Sequence, residues 1–202
     1  MIEAFRHGLD VHQQTAAQIY DVPLEQVTKD QRYNAKTLNF GVLYGMSPHG
    51  ISVATGMKRD EAVAFIERYF SLRQTLKHWI DRQVELAHQR EYAETLFGRR
   101  RPLPEINSTN FQIRSGAERM AINMPIQGTQ ADIMKLAMIA LAPKLPGGAQ
   151  LLLQIHDELI AECAAAQADA VAGLMKQTME STYDLGVPIM VDTATGTSWG
   201  DL

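Results

Sequence analysis

Four residues spaced four positions apart, Arg32, Lys36, Phe40 and Tyr44, have side chains suited to holding a nucleotide. Each step of four residues advances about 40° around an α-helix, so the four side chains would share one broad face about 18 Å long. Two cations suit a triphosphate, and two aromatic rings suit a base and its sugar. The spacing alone favours a plainer interpretation, an amphipathic helix whose rings enter the core while its cations are only solvated.

A second group of polar residues, Gln154 with His156, Asp157 and Glu158, interrupts an apolar segment. Buried ionisable side chains need partners, so such residues between apolar flanks either face solvent or have a function. A solvated turn between two strands is the plainer interpretation.

A third group, Arg119, Asn123 and Gln127, also has a spacing of four residues and would present hydrogen-bond donors along one stripe of a helix. The minor groove of DNA offers acceptors at nearly equivalent positions for every base pair. Donors on such a stripe would hold any base pair without reading its sequence. The alternative is a polar helix face that makes local hydrogen bonds.

Composition and charge limit the classes of protein that remain. The 202 residues carry a formal net charge of -4, which alone argues mildly against binding nucleic acid, because phosphates are neutralised by clustered Lys and Arg. No apolar run is long enough to span a membrane or to form a signal peptide. We therefore expect no membrane association and a cytoplasmic location, on the nucleoid if the source is bacterial. Basic residues do cluster, at Lys29/Arg32/Lys36, at Lys58/Arg59 and at 99–101.

The elements that must position these groups are predicted from caps and periodicity. A helix over 10–20 is followed by one that begins after Thr28, where Gln31 completes a capping box, and that ends at Gly45. Apolar periodicity predicts a helix over 59–90 with a break near Ser71. Residues 92–104 then read as a short hairpin with its turn at Gly98.

The second half of the chain combines helices with strands. A helix over 115–141 should be kinked by Pro125, which removes one backbone donor. Residues 150–163 are predicted to form two strands that meet at a tight turn, 168–183 a helix and 188–193 a closing strand. Helices first and a small antiparallel sheet later give the class α+β.

The segment over 32–45 closely resembles the nucleotide-binding fingers helix of family A DNA polymerases. The resemblance assigns Arg32 and Lys36 to the phosphates of an incoming deoxynucleotide, Phe40 to its sugar and base, and Tyr44 to the pocket of the nascent base pair. Residues 10–17 are similar to the family's preceding segment, whose histidine, here His12, also reaches the phosphates. Without the resemblance, His12 would be a surface or capping histidine.

The same resemblance assigns the remaining groups to DNA and metal. Residues 154–159 resemble the palm motif whose aspartate, Asp157, binds catalytic Mg²⁺, with Glu158 as a secondary ligand and His156 near the primer end. Together with Lys36, these three form the implied catalytic group. The segment 118–129 resembles the palm segment that contacts the base pairs. Residues 94–101 resemble a loop near the template, so DNA contacts are implied for Thr95, Arg99 and Arg100, although a solvated surface loop is the alternative.

The fold implied is a partial right-hand polymerase fold without the thumb and the first palm motif. Residues 1–93 would form a mainly helical fingers subdomain that includes the nucleotide-binding helix at about 29–45. Residues 94–202 would form the C-terminal palm, with the hairpin at about 150–163. The fingers would pack on the small antiparallel sheet of the palm.

The activity implied is template-directed DNA synthesis, in replication or repair, by nucleotidyl transfer from a deoxynucleoside triphosphate to the 3′ end of a DNA primer. The two-metal route uses two Mg²⁺ ions bridged by carboxylates. One aspartate cannot hold both ions, and in the family the partner of Asp157 comes from a segment upstream of the part matched here. We therefore expect the isolated chain to be inactive, as a portion of a polymerase or half of a split enzyme that needs a separate N-terminal part.

The sequence leaves two other functions open. The chain could be a non-catalytic nucleic-acid-binding relic of such an enzyme. It could also be a fragment of a single-subunit RNA polymerase, whose fingers helix likewise has Arg, Lys and Tyr-Gly. Phe40-Gly41 and the Glu158 that follows Asp157 favour the DNA enzyme.

Overall fold

The computed structural model describes residues 2–201, except for the side chains of Val42 and Leu43. The chain divides into two compact units, Met1–Gly128 and Thr129–Leu202.

The first unit is mainly helical. Its helices are α1 (Ile2–Arg6), α2 (Val11–Tyr20), α3 (Lys29–Leu43), α4 (Pro48–Thr55), α5 (Arg59–Ser71), α6 (Gln74–Arg90) and α7 (Phe111–Asn123). The strands β1 (Tyr92–Glu94) and β2 (Arg100–Pro102) form an antiparallel hairpin between α6 and α7. Gly98, at the turn of this hairpin, has a φ of 83°, a conformation that glycine adopts without steric cost.

Local capping explains where α2 and α3 begin. The Thr28 backbone N–H donates to Gln31 Oε1 (2.9 Å), and the Gln31 N–H donates to Thr28 Oγ1 (3.2 Å), which is the predicted capping box. Asp10 caps α2 by accepting from the backbone N–H groups of His12 and Gln13, both at 2.9 Å. The two helices that carry His12 and Arg32 therefore start at fixed positions.

The core of the first unit orients α3. Leu38 of α3 is fully buried and packs with Ile51, Phe65, Tyr69 and other apolar side chains of α4 to α7. Because Leu38 points into this core, the opposite face of α3 must point outward.

Pro125 and Gly128 shape the end of the first unit. The helix predicted over 115–141 begins earlier, at Phe111, and is interrupted by a π-helical turn over Met124–Gly128. Pro125 lacks a backbone donor, so an irregular turn at this point is the expected kink. A Cβ on Gly128 would lie 2.6 Å from Cγ2 of Thr95, the residue after β1, so a glycine lets this turn pass Thr95 so closely.

The second unit contains α8 (Thr129–Leu141), β3 (Gln150–Ile155), β4 (Glu158–Glu162) and α9 (Ala168–Glu180). The strands β3 and β4 pair antiparallel, with Ile155 opposite Glu158 at the turn. Met134 and Ala137 of α8 pack with Met179 of α9 in a small apolar cluster. The sheet is thus flanked by helices, and the α+β class is confirmed.

One predicted element is wrong. Residues 188–193 do not form a strand in the described part of the chain. The backbone N–H of Val191 donates to Glu180 Oε1 at 3.0 Å, so a side-chain carboxylate takes the place of a neighbouring strand.

The subdomain boundary predicted between 93 and 94 stays a prediction, because compact units and functional subdomains need not share a boundary. None of the described helices is long and apolar enough to cross a membrane.

Candidate functional site

The α3 face, defined by Arg32, Lys36 and Phe40 of α3 and by Tyr44, which directly follows the helix, is exposed along its length. Phe40 and Tyr44 remain 46% and 41% exposed, whereas Leu38 is fully buried. The plainer interpretation, in which the aromatic rings enter the core, is therefore wrong. The structure brings two cations and two accessible rings together on one face, as the spacing predicts.

Asp10 fixes the first cation of this face. Its Oδ2 accepts from Arg32 Nε at 2.7 Å, while its Oδ1 caps α2. Burial raises the pKa of the Asp10 carboxyl, but hydrogen bonds from the Gln13 backbone, Arg32 and the His12 backbone outweigh burial, so the pKa lies below its ordinary value. The Asp10 carboxylate thus joins the start of α2 to Arg32 on the α3 face.

His12 lies beside the α3 face. Its ring centroid is 5.6 Å from that of Phe40. Its Nδ1 lies 3.0 Å from the Asn39 side-chain nitrogen, Nδ2, which is a donor. With Nδ2 as the donor in this contact, Nδ1 accepts and a neutral ring would carry its proton on Nε2.

The electrostatic surroundings of His12 favour its neutral form. Burial, the largest cause, lowers the pKa of the His12 imidazole, and the positive charges of Arg32 and Lys36 lower it further. The Asp10 carboxylate opposes them, and the net result is a pKa below the ordinary value. The influence of Lys36 places its charge near His12.

A buried polar network behind the α3 face was not predicted. Asn39 Nδ2 also lies 3.2 Å from Thr15 Oγ1, and Arg73 Nη2 donates to the same oxygen at 2.9 Å. Thr15 and Asn39 are 0% and 5% exposed. The sequence contained one signal for this network, because Asn39 is a polar residue next to Leu38 on the buried side of α3.

The end of α3 meets the third predicted group at Arg119. A Cβ on Gly45 would lie 2.7 Å from Arg119 Cγ, and Gly45 has a φ of 67°. Only glycine fits both conditions. Arg119 also donates from Nη1 to Ser115 Oγ at 3.1 Å. The structure therefore places Arg119 next to the Tyr44 end of the α3 face.

Asn123 and Gln127 differ from each other in burial. Asn123 Oδ1 is buried and has no hydrogen-bond partner among the described residues, so it lacks the hydrogen bond that a buried amide oxygen normally accepts. Gln127 is exposed within the π-helical turn. The two amides are thus on different local structures, although both follow Arg119 at a spacing of four.

In the β1–β2 hairpin, Thr95 is 5% exposed, and its Oγ1 accepts from the backbone N–H groups of Phe97 and Arg99 at 3.3 and 3.1 Å. Thr95 therefore shapes the turn. Arg100 is exposed but lies 4.6 Å over the Tyr92 ring, and its Nε donates to Glu94 Oε2 at 2.6 Å. The DNA contacts expected of Thr95, Arg99 and Arg100 stay predictions.

The hairpin turn is defined by His156 and Asp157, which join β3 to β4, and by Glu158, the first residue of β4; all three residues are exposed. His156 adopts a φ of 54°, and its carbonyl oxygen accepts from Gln154 Nε2 at 3.1 Å. Among the described residues, no hydrogen bond or ion pair engages the Asp157 or Glu158 carboxylate. Nor do the described residues contain a group of three or more His, Cys, Asp or Glu that could hold a metal ion. The turn offers two adjacent carboxylates and little internal restraint.

Comparison with known proteins shows the family of the chain. A family model described as DNA polymerase family A matches residues 1–201. The chain therefore belongs to DNA polymerase family A.

Similar proteins include bacterial DNA polymerases I. The thermostable DNA polymerase I of Thermus thermophilus is 50% identical over 200 residues, which cover 98% of this chain and 24% of that protein. DNA polymerase I of Deinococcus radiodurans is 46% identical over 202 residues, 100% of this chain and 21% of that protein. This chain thus spans about a quarter of the length of these relatives or less.

A solved structure is also similar, the POL domain of Pol1 from M. smegmatis in complex with DNA primer-template and dNTP. The match has a TM-score of 0.85 at 36% identity and covers 93% of this chain and 34% of that chain. It fits a partial fingers and palm fold.

Proposed function

We propose that this chain supplies the nucleotide-binding surface and part of the DNA-binding surface of a template-directed DNA polymerase. The observation that carries the proposal is the exposure of Phe40 and Tyr44 beside Arg32 and Lys36 on one face. Aromatic rings left in water next to cations suit a ligand with a flat base and a charged tail. The similar M. smegmatis protein was solved with DNA primer-template and dNTP, which supports these two partners.

On the α3 face, each side chain has a distinct task. Lys36 and Arg32 bind phosphate oxygens, and Arg32 uses its terminal nitrogens because its Nε is bonded to Asp10. His12 donates from Nε2–H to the same phosphates. Phe40 packs against the sugar and base, and Tyr44 borders the nascent base pair.

The DNA partner is held by donors from several elements. Arg119, at the end of the α3 face, reaches minor-groove acceptors that every base pair presents. These contacts position DNA without selecting a sequence, as a copying enzyme requires. The other proposed DNA contacts are Asn123, Gln127, Thr95, Arg99, Arg100 and His156.

Asp157 and Glu158 are the proposed protein ligands of Mg²⁺. Exposed carboxylate oxygens fit this hard cation, which is commonly held by one or two carboxylates together with substrate phosphates. Bound Mg²⁺ would neutralise charge on the reacting phosphates and favour the ionised nucleophile. Two ions need more carboxylates than this turn offers. We therefore propose that the others come from outside this chain and that the chain alone does not extend a primer.

Binding of a fluorescent dATP analogue to the chain tests the nucleotide surface. Lys36→Ala should weaken binding about tenfold, since one charge-assisted phosphate contact is lost. Lys29→Ala, at the start of the same helix, is the matched control and should retain wild-type affinity. Unchanged affinity in Lys36→Ala contradicts the proposal, and equal loss of dATP and DNA binding in that variant points to a folding defect instead.

Addition of Mn²⁺ in place of Mg²⁺ tests the metal ligands separately. Paramagnetic broadening of backbone amide signals should concentrate at residues 155–159 and disappear in Asp157→Asn. Broadening that persists in that variant removes Asp157 from the site. A primer-extension assay with the chain alone and Mg²⁺ should show no product, and robust extension would refute the proposed need for outside carboxylates.

A further inference from the structure

The carboxylate of Asp10 joins the two helices that carry the proposed phosphate ligands His12 and Arg32. Its Oδ1 accepts from the backbone N–H groups of His12 and Gln13, both at 2.9 Å, and so caps α2. Its Oδ2 accepts from Arg32 Nε of α3 at 2.7 Å. The two oxygens of one side chain thus hold the start of α2 and a cation that lies 22 positions further along the chain.

The bond from Asp10 restrains a side chain that would otherwise be free to move. The Arg32 side chain is 45% exposed, and a long, exposed arginine loses rotamer freedom when it binds a ligand. A bond at Nε removes part of that freedom in the folded chain, before a ligand is present. It also leaves the N–H donors on Nη1 and Nη2 for phosphate oxygens.

The charge of Asp10, by contrast, works against phosphate binding. Burial raises the pKa of the carboxyl, but hydrogen bonds from Gln13 and Arg32 outweigh burial, so the pKa lies below its ordinary value and the group is ionised at neutral pH. A phosphate on the terminal nitrogens of Arg32 would share one guanidinium with this carboxylate, and the two negative charges would repel each other. Charge and position therefore predict opposite effects of Asp10 on nucleotide affinity.

We propose that Asp10 is a positioning residue for nucleotide binding, whose carboxylate fixes Arg32 relative to the start of α2 so that Arg32 and His12 meet the same phosphates. The proposal rests on the nucleotide surface proposed above. It adds to that surface a residue that does not itself touch the nucleotide. The gain from position exceeds the cost of repulsion.

Two substitutions separate the cap of α2 from the bond to Arg32. Asp10→Asn keeps an oxygen for the two backbone donors of α2, which leaves its amide nitrogen facing Arg32 Nε, donor against donor. Asp10→Ser keeps a capping oxygen, but its shorter side chain cannot also bond Arg32. Asparagine, serine and aspartate are comparable N-cap residues, so both variants should unfold in urea with stability close to that of the wild type.

The first measurement follows the Arg32 Nε–H group by NMR and needs no nucleotide. Arg32→Met identifies the signal by its absence. In the wild type this group should exchange slowly with solvent, because Asp10 accepts from it. In both Asp10 variants its exchange should become as fast as that of Arg59, an exposed arginine of α5. Wild-type exchange in both variants overturns the inference, whatever happens to nucleotide binding.

The second measurement is the affinity for the fluorescent dATP analogue. Asp10→Asn and Asp10→Ser should each bind it about fivefold more weakly than the wild type, because Arg32 must then be ordered on binding. Asp30→Asn is the matched control, since it also removes one carboxylate, from the first turn of α3, and it should not weaken binding. In the Arg32→Met background, Asp10→Asn should cause no further loss.

The outcomes separate this inference from the proposed function. Unchanged or higher affinity in both Asp10 variants overturns the inference, because repulsion then outweighs position, while a weakened Lys36→Ala still supports the nucleotide surface. An equal loss in the Arg32→Met background also overturns the inference, since the effect would not pass through Arg32. Unchanged affinity in Lys36→Ala contradicts the proposed function itself and overturns the positioning role with it, even where the Arg32 Nε–H exchange is as expected.

Discussion

The α3 face and the hairpin turn are built in opposite ways. Beside the α3 face, His12 and Arg32 are held by Asn39 and Asp10, and a buried network stands behind them. At the hairpin turn, the carboxylates of Asp157 and Glu158 are exposed and have no described partner. The fold therefore orients the first group in advance, whereas in the proposed function bound Mg²⁺ would orient the second.

This difference has a thermodynamic consequence. Side chains that are bonded and buried contribute to the stability of the unit that holds them, so their removal costs folding free energy. Exposed and unbonded side chains contribute little, and their removal costs binding alone. The two regions should respond differently to the same kind of truncation.

Asn39→Ala should show the contrast most strongly. It removes the donor to His12 Nδ1 and both amide contacts of the buried Thr15 hydroxyl, and we expect a loss of about 2–3 kcal/mol in the free energy of unfolding. Asp157→Ala should change the unfolding free energy of its own unit by less than about 0.5 kcal/mol. Hydrogen exchange resolved by peptide measures both units in one experiment. Comparable losses in the two units would remove the distinction between the regions.

Much of this contrast cannot be predicted from the sequence, although many of the helices and turns can. The capping pattern at Thr28 and Gln31, the break after Ser71 and the turn at Gly98 are local signals, and the structure confirms each of them. The common face of Arg32 to Tyr44 also follows from helical periodicity. These features depend on residues close together in the chain.

The parts that could not be predicted depend on distant contacts. Arg73 meets Thr15 across 58 positions, and no periodicity indicates that pair. The segment at 188–193 has strand-like residues, but Val191 bonds to the Glu180 side chain instead of a strand. Tertiary partners, which a single sequence does not display, decided both outcomes.

Phe40→Ala tests whether an exposed side chain of the α3 face serves ligand binding and not stability. Phe40 is 46% exposed, so its removal should cost less than about 1 kcal/mol in stability. Affinity for the dATP analogue should fall about tenfold if the ring packs on the nucleotide. Phe111→Ala, at a 69% exposed ring of α7, is the matched control and should leave that affinity unchanged. Loss of stability without loss of affinity would return Phe40 to a structural role.

Thr28→Ala probes how firmly the start of α3 is held. The loss of the capping box should cost about 1 kcal/mol of unfolding free energy, because the Gln31 N–H loses its acceptor and the box is broken. The exposed Thr109 offers a matched control, since Thr109→Ala changes no described cap. Urea unfolding followed by circular dichroism measures both variants. Equal stability of the two would mean that core packing at Leu38, and not capping, sets the register of α3.

The smallest effect is expected from pH, through His12. Burial, followed by the charges of Arg32 and Lys36, lowers the His12 pKa below its ordinary value of 6.5. Between the lowered pKa and 6.5 the unfolded chain binds a proton that the folded chain does not, so the free energy of unfolding should rise with pH through this window and level off above it. Protonation of Nδ1 would also break the bond from Asn39, which likewise lowers the free energy of unfolding at low pH.

His12→Gln keeps an acceptor oxygen but does not titrate. It should flatten this part of the curve of unfolding free energy against pH, measured by urea unfolding from about pH 5 to 8. An unchanged slope in His12→Gln would mean that the network behind the α3 face tolerates a charged His12, and the contrast with the hairpin turn would then rest on Asn39 and Arg73 alone.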